Sequence, residues 1–327
     1  MSLYEIIKGR RQLFETCTGM RVEDFAALMQ DLRPKYKKSE IARKMLTVEG
    51  RAERQRSQGG GRRFSNSLED RVLMVLMHLR LYVSYDVLCL FFRVKHRSVI
   101  CRTIQHIKPL VEACLPTPDK VRVQVLAAAQ KEGARRGQRL NKLEALKAAY
   151  PELTVLIDGV EQEKQRPQDP AKRKRQYSGK KKRHTLKQVV VATPTGLILE
   201  QSPPVDGRRH DFEVLKAHPP DLLRRDDLRV TAYGDSGFQG AAKLGHAAEY
   251  RLIARARRGK PLTEDEKATN AQRSRKRIAV EHTFARRKEY KIAALKYRHK
   301  DECYQRDMNI VAGLVNLRAI NRLGIAI

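Results

Sequence analysis

The pattern of apolar residues changes near residue 150, and this change limits the folds that the chain can adopt. Before it, apolar residues recur at helical spacing, as in "NSLEDRVLMVLMHLRLYVSYDVLCLFF" between residues 66 and 92. After it, short β-branched runs such as "ELTVLIDG" and "KQVVVATPTGLILEQ" alternate with helical stretches. This order predicts a mixed α/β sheet with flanking helices, preceded by an all-α region.

The chain is strongly basic. Its 68 lysines and arginines outnumber 37 acidic residues, which gives a net charge of +31. Such a charge repels itself unless a polyanion neutralises it, so nucleic acid is the expected partner. A basic surface that serves only solubility is the alternative. The first residues, "MSLYEIIKGRRQLF", lack the apolar core of a secretory signal, so we expect a cytoplasmic protein without a membrane partner.

We expect four regions along the chain. They are an N-terminal helical segment (1–55), a helix-turn-helix region (56–118), a charged helical connector (119–150) and the α/β domain (151–327). The glycine-rich run "RQRSQGGGRR" (54–63) is predicted to be a hinge between the first two.

Two short helices in the second region have the layout of a helix-turn-helix. The first is predicted from Ser84 to Phe92, the break is "RVKH", and the next helix begins at Arg97 or Ser98. Arg97, Ser98 and Arg102 then lie where a recognition helix contacts base edges or phosphates. An ordinary helical bundle with an exposed basic helix is the alternative.

Three acidic residues are candidates for chemistry. Asp158 is expected to close the first strand at "LIDG" and Asp235 the fourth at "YGDSG", where the carboxyl ends of strands bring active groups together. Glu281, in "RIAVEHTF", is the third, on the last long helix, which is expected to span residues 271–298. Converging carboxylates repel each other unless a cation lies between them. Magnesium binds carboxylates and phosphate oxygens, so the three acids predict phosphodiester chemistry on a nucleic acid.

The helix that carries Glu281 also offers two cations. At 100° per residue, Arg277 and Lys288 lie within about 40° of Glu281, so one face combines a metal ligand with two phosphate-binding groups. A surface Arg–Glu pair is the alternative. Asp211, in "RRHDF", competes for a ligand position, although its place at a helix start predicts a cap. His210, Asp211 and His282 are expected to hydrogen-bond to the ligands, a phosphate or a water.

The stretch from 160 to 187 carries eleven lysines and arginines against three acids, and its residues 160–184 are expected to form a surface loop. Its residues "KKKRH" are predicted to bind DNA phosphates, and a targeting run is the alternative. These residues are Lys180, Lys181, Lys182, Arg183 and His184. The sequence leaves two roles open for Tyr177, stacking on a base and packing within the loop.

Five blocks of the sequence resemble, in order, those of DDE transposases of bacterial insertion sequences, specifically the insertion-sequence five superfamily and its Harbinger-like relatives. The blocks are "LIDGVEQ", "YSGKKKRHTLKQVVV", "GRRHDFEVLK", "YGDSGFQG" and "RIAVEHTFARRKEYKI". Upstream, "LEDRVLMVLMHLRLYVSYDVLCLFFRVKHRSV" resembles the helix-turn-helix segment of the same proteins. The resemblance spans residues 60 to 300, nearly the whole chain.

The resemblance implies an RNase H-like core whose acidic triad binds two Mg²⁺ ions, with Mn²⁺ able to substitute. It places the triad on Asp158, Asp235 and Glu281. It also matches Arg277 and Lys288 to part of a Tyr, Arg, Glu and Lys signature, in which Ser274 stands where the tyrosine would be.

The implied activity is cut-and-paste transposition, in which DNA is cut at the element ends and the 3′ hydroxyls are joined to a target. The implied partners are duplex DNA, as terminal inverted repeats and target, and a second copy of the chain in a dimer or higher oligomer. Two rival functions remain open, a non-catalytic DNA-binding regulator derived from a transposase and an RNase H-like nuclease or resolvase.

Overall fold

The computed structural model describes residues 2–46, 64–137, 152–256 and 261–324. These divide into two compact units, one of residues 1–115 with 290–292 and the other of residues 116–289 with 293–327. The first unit therefore contains the N-terminal helices together with residues 64–115 of the predicted helix-turn-helix region. The predicted hinge (54–63) and residues 138–150 of the predicted connector lie outside the described residues.

The first unit is helical in its described residues. Its helices are α1 (Leu3–Ile7), α2 (Arg11–Thr18), α3 (Val22–Leu46), α4 (Leu68–Leu81), α5 (Tyr85–Phe92) and α6 (Arg97–Cys114). Ser67 and Ser84 cap α4 and α5, because their side chains accept hydrogen bonds from the backbone of the first turn. Arg93 ends α5 in the left-handed conformation, with φ of 53°, and α6 begins four residues later.

Burial in this unit follows the helical period. Ile100, Ile104, Ile107 and Val111 recur at intervals of three or four residues in α6, and all are buried. Residues 70–79 of α4 are buried throughout. The predicted helix-turn-helix layout is confirmed, with the basic side of α6 left exposed.

The second unit contains the sheet and its flanking helices. Its strands are β1 (Glu152–Glu163), β2 (Tyr177–Ser178), β3 (Arg183–Ala192), β4 (Ile198–Gln201), β5 (Val205–Asp206), β6 (Arg229–Gly234) and β7 (Glu249–Leu252). Its helices are α7 (Pro118–Gly137), α8 (Pro170–Gln176), α9 (Asp211–Ala217), α10 (Asp221–Arg224), α11 (Glu264–Lys288), α12 (Lys291–Ala294), of which residues 291 and 292 fall in the first unit, and α13 (Asp301–Leu323).

The sheet of the described residues is mixed, with β1 at its centre. Its main order is β2-β3-β1-β6-β7, and β4 and β5 also pair with β3. β1 runs antiparallel to β3 and parallel to β6, which in turn runs parallel to β7. This mixed sheet with flanking helices, preceded by a helical region, confirms the predicted fold class and is consistent with an RNase H-like fold.

The core of the second unit lies between the sheet and the helices. Val155 and Ile157 of β1 pack in one apolar cluster with Val189 and Val191 of β3. Ile320 of α13 belongs to the same cluster, and this helix is buried along most of its length. Among the described helices, none is both long and apolar enough to cross a membrane.

Some sequence expectations for this unit were wrong. Asp158 does not close β1, because the strand continues to Glu163 through its antiparallel pairing with β3. The stretch from 160 to 184 is not a loop throughout, since it contains the end of β1, helix α8, strand β2 and the start of β3.

The helix that carries Glu281 differs from the prediction in its limits. It spans Glu264–Lys288 rather than 271–298, and a capping box at Thr263 fixes its start. It is not the last long helix, because α13 follows it.

Candidate active site

Two aspartates lie at one end of the parallel strand pair. The last residue of β1 that pairs with β6 is Leu156, opposite Tyr233, so Asp158 lies just beyond this ladder. Asp235 directly follows β6. Each carboxylate is held by a backbone amide at 2.8 Å: Asp158 Oδ1 accepts from Gly159, and Asp235 Oδ1 accepts from Gly237. Neighbouring parallel strands thus present two fixed carboxylates at one edge.

Burial raises the pKa of the Asp158 carboxyl to about 6. The charge of Arg277, whose Nη2 lies 3.8 Å from Asp158 Oδ2, opposes this shift, while Asp235 and Asp211 add to it. The side chains of Asp158 and Arg277 are only 20% and 13% exposed. The negative charge at Asp158 is therefore poorly solvated, and a bound cation would stabilise it.

A third carboxylate, Asp211, lies beside these two. A Cβ atom on Gly159 would lie 2.5 Å from Asp211 Oδ1, and one on Gly237 would lie 3.2 Å from Asp211 Oδ2. The glycines that follow the two aspartates therefore leave room for Asp211. Lys187 Nζ lies 3.0 Å from Asp211 Oδ1, although the approach lacks the geometry of a hydrogen bond.

The predicted capping role of Asp211 was wrong. His210 occupies the cap position of α9, and Asp211 is the first residue of the helix. Its side chain is directed to Gly159, Gly237 and Lys187 instead. Lys187 itself is 8% exposed and donates a 2.7 Å hydrogen bond to the carbonyl of Arg209.

Glu281 lies on the exposed side of α11 and lines the same cleft as Asp158 and Asp235. In the arrangement described here, no group of three or more histidine, cysteine, aspartate or glutamate side chains among the described residues is close enough to hold a metal ion. The structure thus places two of the three predicted ligands side by side and the third on the wall of their cleft.

The cleft has a volume of about 1440 Å³ and is lined mainly by cationic and polar groups. The basic residues that line it are Arg166, Arg173, Lys174, Lys180, Lys181, His184, Lys187, Arg208, Arg209, His210 and Lys288. Such a lining around a few carboxylates attracts a polyanion and leaves a local place for a metal cation.

The predicted DNA contacts divide between cleft and surroundings. Lys180, Lys181, His184 and Lys288 line the cleft, whereas Lys182 and Arg183 do not. Of the two histidines expected beside the ligands, His210 lines the cleft and His282 does not. The Arg183 guanidinium lies 2.6 Å from the Glu163 carboxylate. Arg277 pairs with Asp158 rather than lining the wall.

The remaining predicted contacts, Arg97, Ser98 and Arg102, are exposed near the start of α6 in the other unit. Sequence reasoning missed Lys187, Arg208, Arg209 and the basic residues near α8. Only the charge surplus of the 160–187 stretch pointed towards those near α8.

Comparisons with known proteins agree with this architecture. Residues 157–316 match the family model described as DDE superfamily endonuclease, and residues 67–117 match the helix-turn-helix of DDE superfamily endonuclease. This chain belongs to the DDE transposase family. It is a DDE-family transposase with a helix-turn-helix DNA-binding domain, and this class of endonuclease generally uses divalent metal ions.

One curated relative is a probable transposase for insertion sequence element IS702 from Microchaete diplosiphon. The chain is 29% identical to it over 267 residues, which cover 81% of this chain and 86% of the relative. No solved structure matches the chain.

Proposed function

We propose that this transposase binds the terminal inverted repeats of an insertion sequence, cuts there and joins the freed 3′ ends to target DNA. The triad in this proposal is Asp158, Asp235 and Glu281, with two Mg²⁺ ions, for which Mn²⁺ can substitute. The observation that carries the proposal is the pair of fixed carboxylates, Asp158 and Asp235, at one edge of the sheet in a cationic cleft.

The residues present fit a divalent metal. Carboxylate oxygens are the ligands that Mg²⁺ prefers, and the poorly solvated charge of Asp158 favours a bound cation. Asp158 and Asp235 would hold the metal, and Glu281 would contribute from α11. When bound, the ions supply charge stabilisation at the phosphorus and an activated nucleophile.

The protein's own groups bind and orient the DNA. Lys180, Lys181 and Lys288 bind backbone phosphates in the cleft, which holds the scissile bond against the carboxylates. Arg277 keeps Asp158 in place through their ion pair, and Lys187 does the same for Asp211. These fixed charges need no reorganisation when the phosphodiester reacts.

The proposal assigns recognition to the helix-turn-helix region (56–118) and catalysis to residues 151–327. Arg97, Ser98 and Arg102 on α6 contact the terminal repeats from the major groove. Because two element ends must be held together, we propose a homodimer or higher oligomer that acts on duplex DNA at the nucleoid.

A strand-cleavage assay on labelled DNA that carries the element ends tests the proposal. With Mg²⁺ or Mn²⁺, Asp158→Asn, Asp235→Asn and Glu281→Gln are expected to lose at least about 10²-fold in cleavage rate. They should still bind DNA, because removing a negative charge does not weaken phosphate binding. Asp226→Asn, at an exposed acid outside the cleft, is the matched control.

Each rival function has its own outcome in this assay. Normal cleavage by the three variants would show that the triad is wrong. If cleavage were lost with Asp211→Asn but not with Glu281→Gln, the third ligand would be Asp211 instead of Glu281. A native chain that binds and never cuts would be a regulator. A chain that cuts without joining 3′ ends to a second duplex would be a nuclease or resolvase.

A further inference from the structure

An aromatic side chain lies exposed in the cationic cleft. Tyr177, in the short strand β2, lines the cleft and is 43% exposed. Its backbone is fixed, because β2 pairs with β3 and places Tyr177 opposite His184. The ring is thus presented to the cleft from a rigid element.

His184 covers part of this ring. His184 meets it in a T-shaped contact, with centroids 5.5 Å apart and planes at 72°. Among the cation–π contacts of the described residues, no lysine or arginine lies over the ring. The exposed part of the ring is therefore available to a molecule in the cleft.

The surroundings of the ring are cationic. Arg173, Lys174, Lys180 and Lys181 line the cleft near it in sequence, and each is suited to a phosphate. Burial and the nearby arginines lower the pKa of His184 below its ordinary value, so its imidazole is a neutral ring at physiological pH. The result is an aromatic face bordered by phosphate-binding groups.

We propose that Tyr177 stacks on an unpaired nucleobase of DNA bound in the cleft. A base inside a duplex is covered on both faces by its neighbours, so an exposed protein ring selects a base that has left the stack. Stacking on an aromatic ring tolerates any of the four bases, because each has a π face. This inference rests on the proposed function, since it assumes that the cleft holds DNA.

The sheet register gives the separation of Asp158 and Tyr177 along β3, and hence the place of this base. Asp158 pairs with Val190 and Tyr177 with His184, so six residues of β3 separate the two positions. At about 3.3 Å per residue this is a distance of about 20 Å. Measured along β3, an unpaired base at Tyr177 therefore lies about six nucleotides from the cut phosphodiester, at about 3.4 Å per step along one strand.

The test compares two short DNA duplexes that carry a single 2-aminopurine at the same position of the same strand. In one duplex this base is paired, and in the other it is unpaired. The full chain is used without added metal, so that no strand is cut. We expect tighter binding of the unpaired form and quenching of its fluorescence. Tyr177→Ala should lose about five-fold or more of this preference, and Tyr177→Phe should keep it.

Lys180→Ala is the matched control, because loss of a phosphate contact should weaken binding to both duplexes equally. If Tyr177→Ala weakened binding to both duplexes equally, or left the fluorescence quenching unchanged, the stacking role would be overturned. The cleavage assay separates this result from the proposed function. If the native chain cuts element ends but shows no preference for the unpaired base, only the stacking proposal is contradicted. If it prefers the unpaired base but does not cut, only the catalytic proposal is contradicted.

Discussion

Lys187 Nζ lies 3.0 Å from Asp211 Oδ1, and this pair is adjacent to the two aspartates at the sheet edge. Lys187 is the buried cation of the pair and is also tied to the Arg209 carbonyl. The positive charge of Lys187 compensates the negative charge of Asp211, one of three neighbouring carboxylates with Asp158 and Asp235. It also links strand β3 to the start of α9, which carries Asp211 towards Asp158.

Lys187→Met is expected to destabilise the fold by about 2 kcal/mol, because it leaves Asp211 beside two other carboxylates without its cation. The double variant Lys187→Met with Asp211→Asn should recover most of this loss, because the uncompensated charge is gone. Urea unfolding of the native chain, both single variants and the double variant measures the coupling. Strictly additive effects would show that the two side chains do not interact.

Asp158→Asn should stabilise the metal-free protein at neutral pH. The folded-state pKa of Asp158, about 6, is raised above the ordinary value of 3.8. The stabilisation from its bound proton is full below pH 3.8 and is lost as pH rises through 6. An amide never ionises, so at pH 7 the variant should gain up to about 3 kcal/mol, seen as a rise in Tm of several degrees.

That gain should disappear towards pH 4, where native Asp158 is protonated. Asp227→Asn is the control with the opposite sign, because Arg225 lowers the pKa of the Asp227 carboxyl. The control should show no gain at pH 7. A loss of stability in Asp158→Asn at pH 7 would contradict the poor solvation described for this carboxylate.

Mg²⁺ or Mn²⁺ should raise the Tm of the native chain. A ligand that binds only the folded state stabilises it by about 2.7 kcal/mol at a concentration 100-fold above its Kd. Asp158→Asn and Asp235→Asn should lose this metal-dependent rise, and Asp226→Asn should keep it. A rise of the same size in all four proteins, measured by differential scanning fluorimetry, would place the metal elsewhere.

The salt dependence of DNA binding should distinguish the basic residues that line the cleft from those that do not. Lys180→Ala and Lys181→Ala are each expected to reduce the slope of log K against log salt by about 0.9, the release expected for one phosphate contact. Arg183→Ala should change the slope less, because its guanidinium already pairs with Glu163. Equal slopes for all three variants would show that the cleft lysines and Arg183 contact phosphates to the same extent.

The sequence predicted local structure well where a few adjacent residues determine it. The start of α5 follows from the Ser84 cap, and its end is consistent with the break before Arg97. Asp235 was placed correctly at the end of β6, because a glycine turn follows it directly. In each case the deciding hydrogen bonds join residues within one turn.

The position of Asp158 depended on partners that are distant in sequence. Its strand continues through residues 160–163, of which 161–163 are polar, because they pair with residues 185–188 of β3, and no local pattern indicates this. The Lys187–Asp211 pair and the space beside Gly159 depend equally on how the sheet is assembled. Gly159 directly after Asp158 and Gly237 two residues after Asp235 were the visible signal, although their meaning needed the third carboxylate.

The asymmetry of β1 has a consequence for access. At Asp158 the strand still has β3 on one side but has already parted from β6 on the other. The backbone there is held by β3 on one flank and has no strand pairing on the other, while the Asp158 side chain lines the cleft. A backbone fixed by pairing and a side chain open to the cleft thus come from one strand, because its pairing with β6 ends at Leu156 whereas its pairing with β3 continues to Glu163.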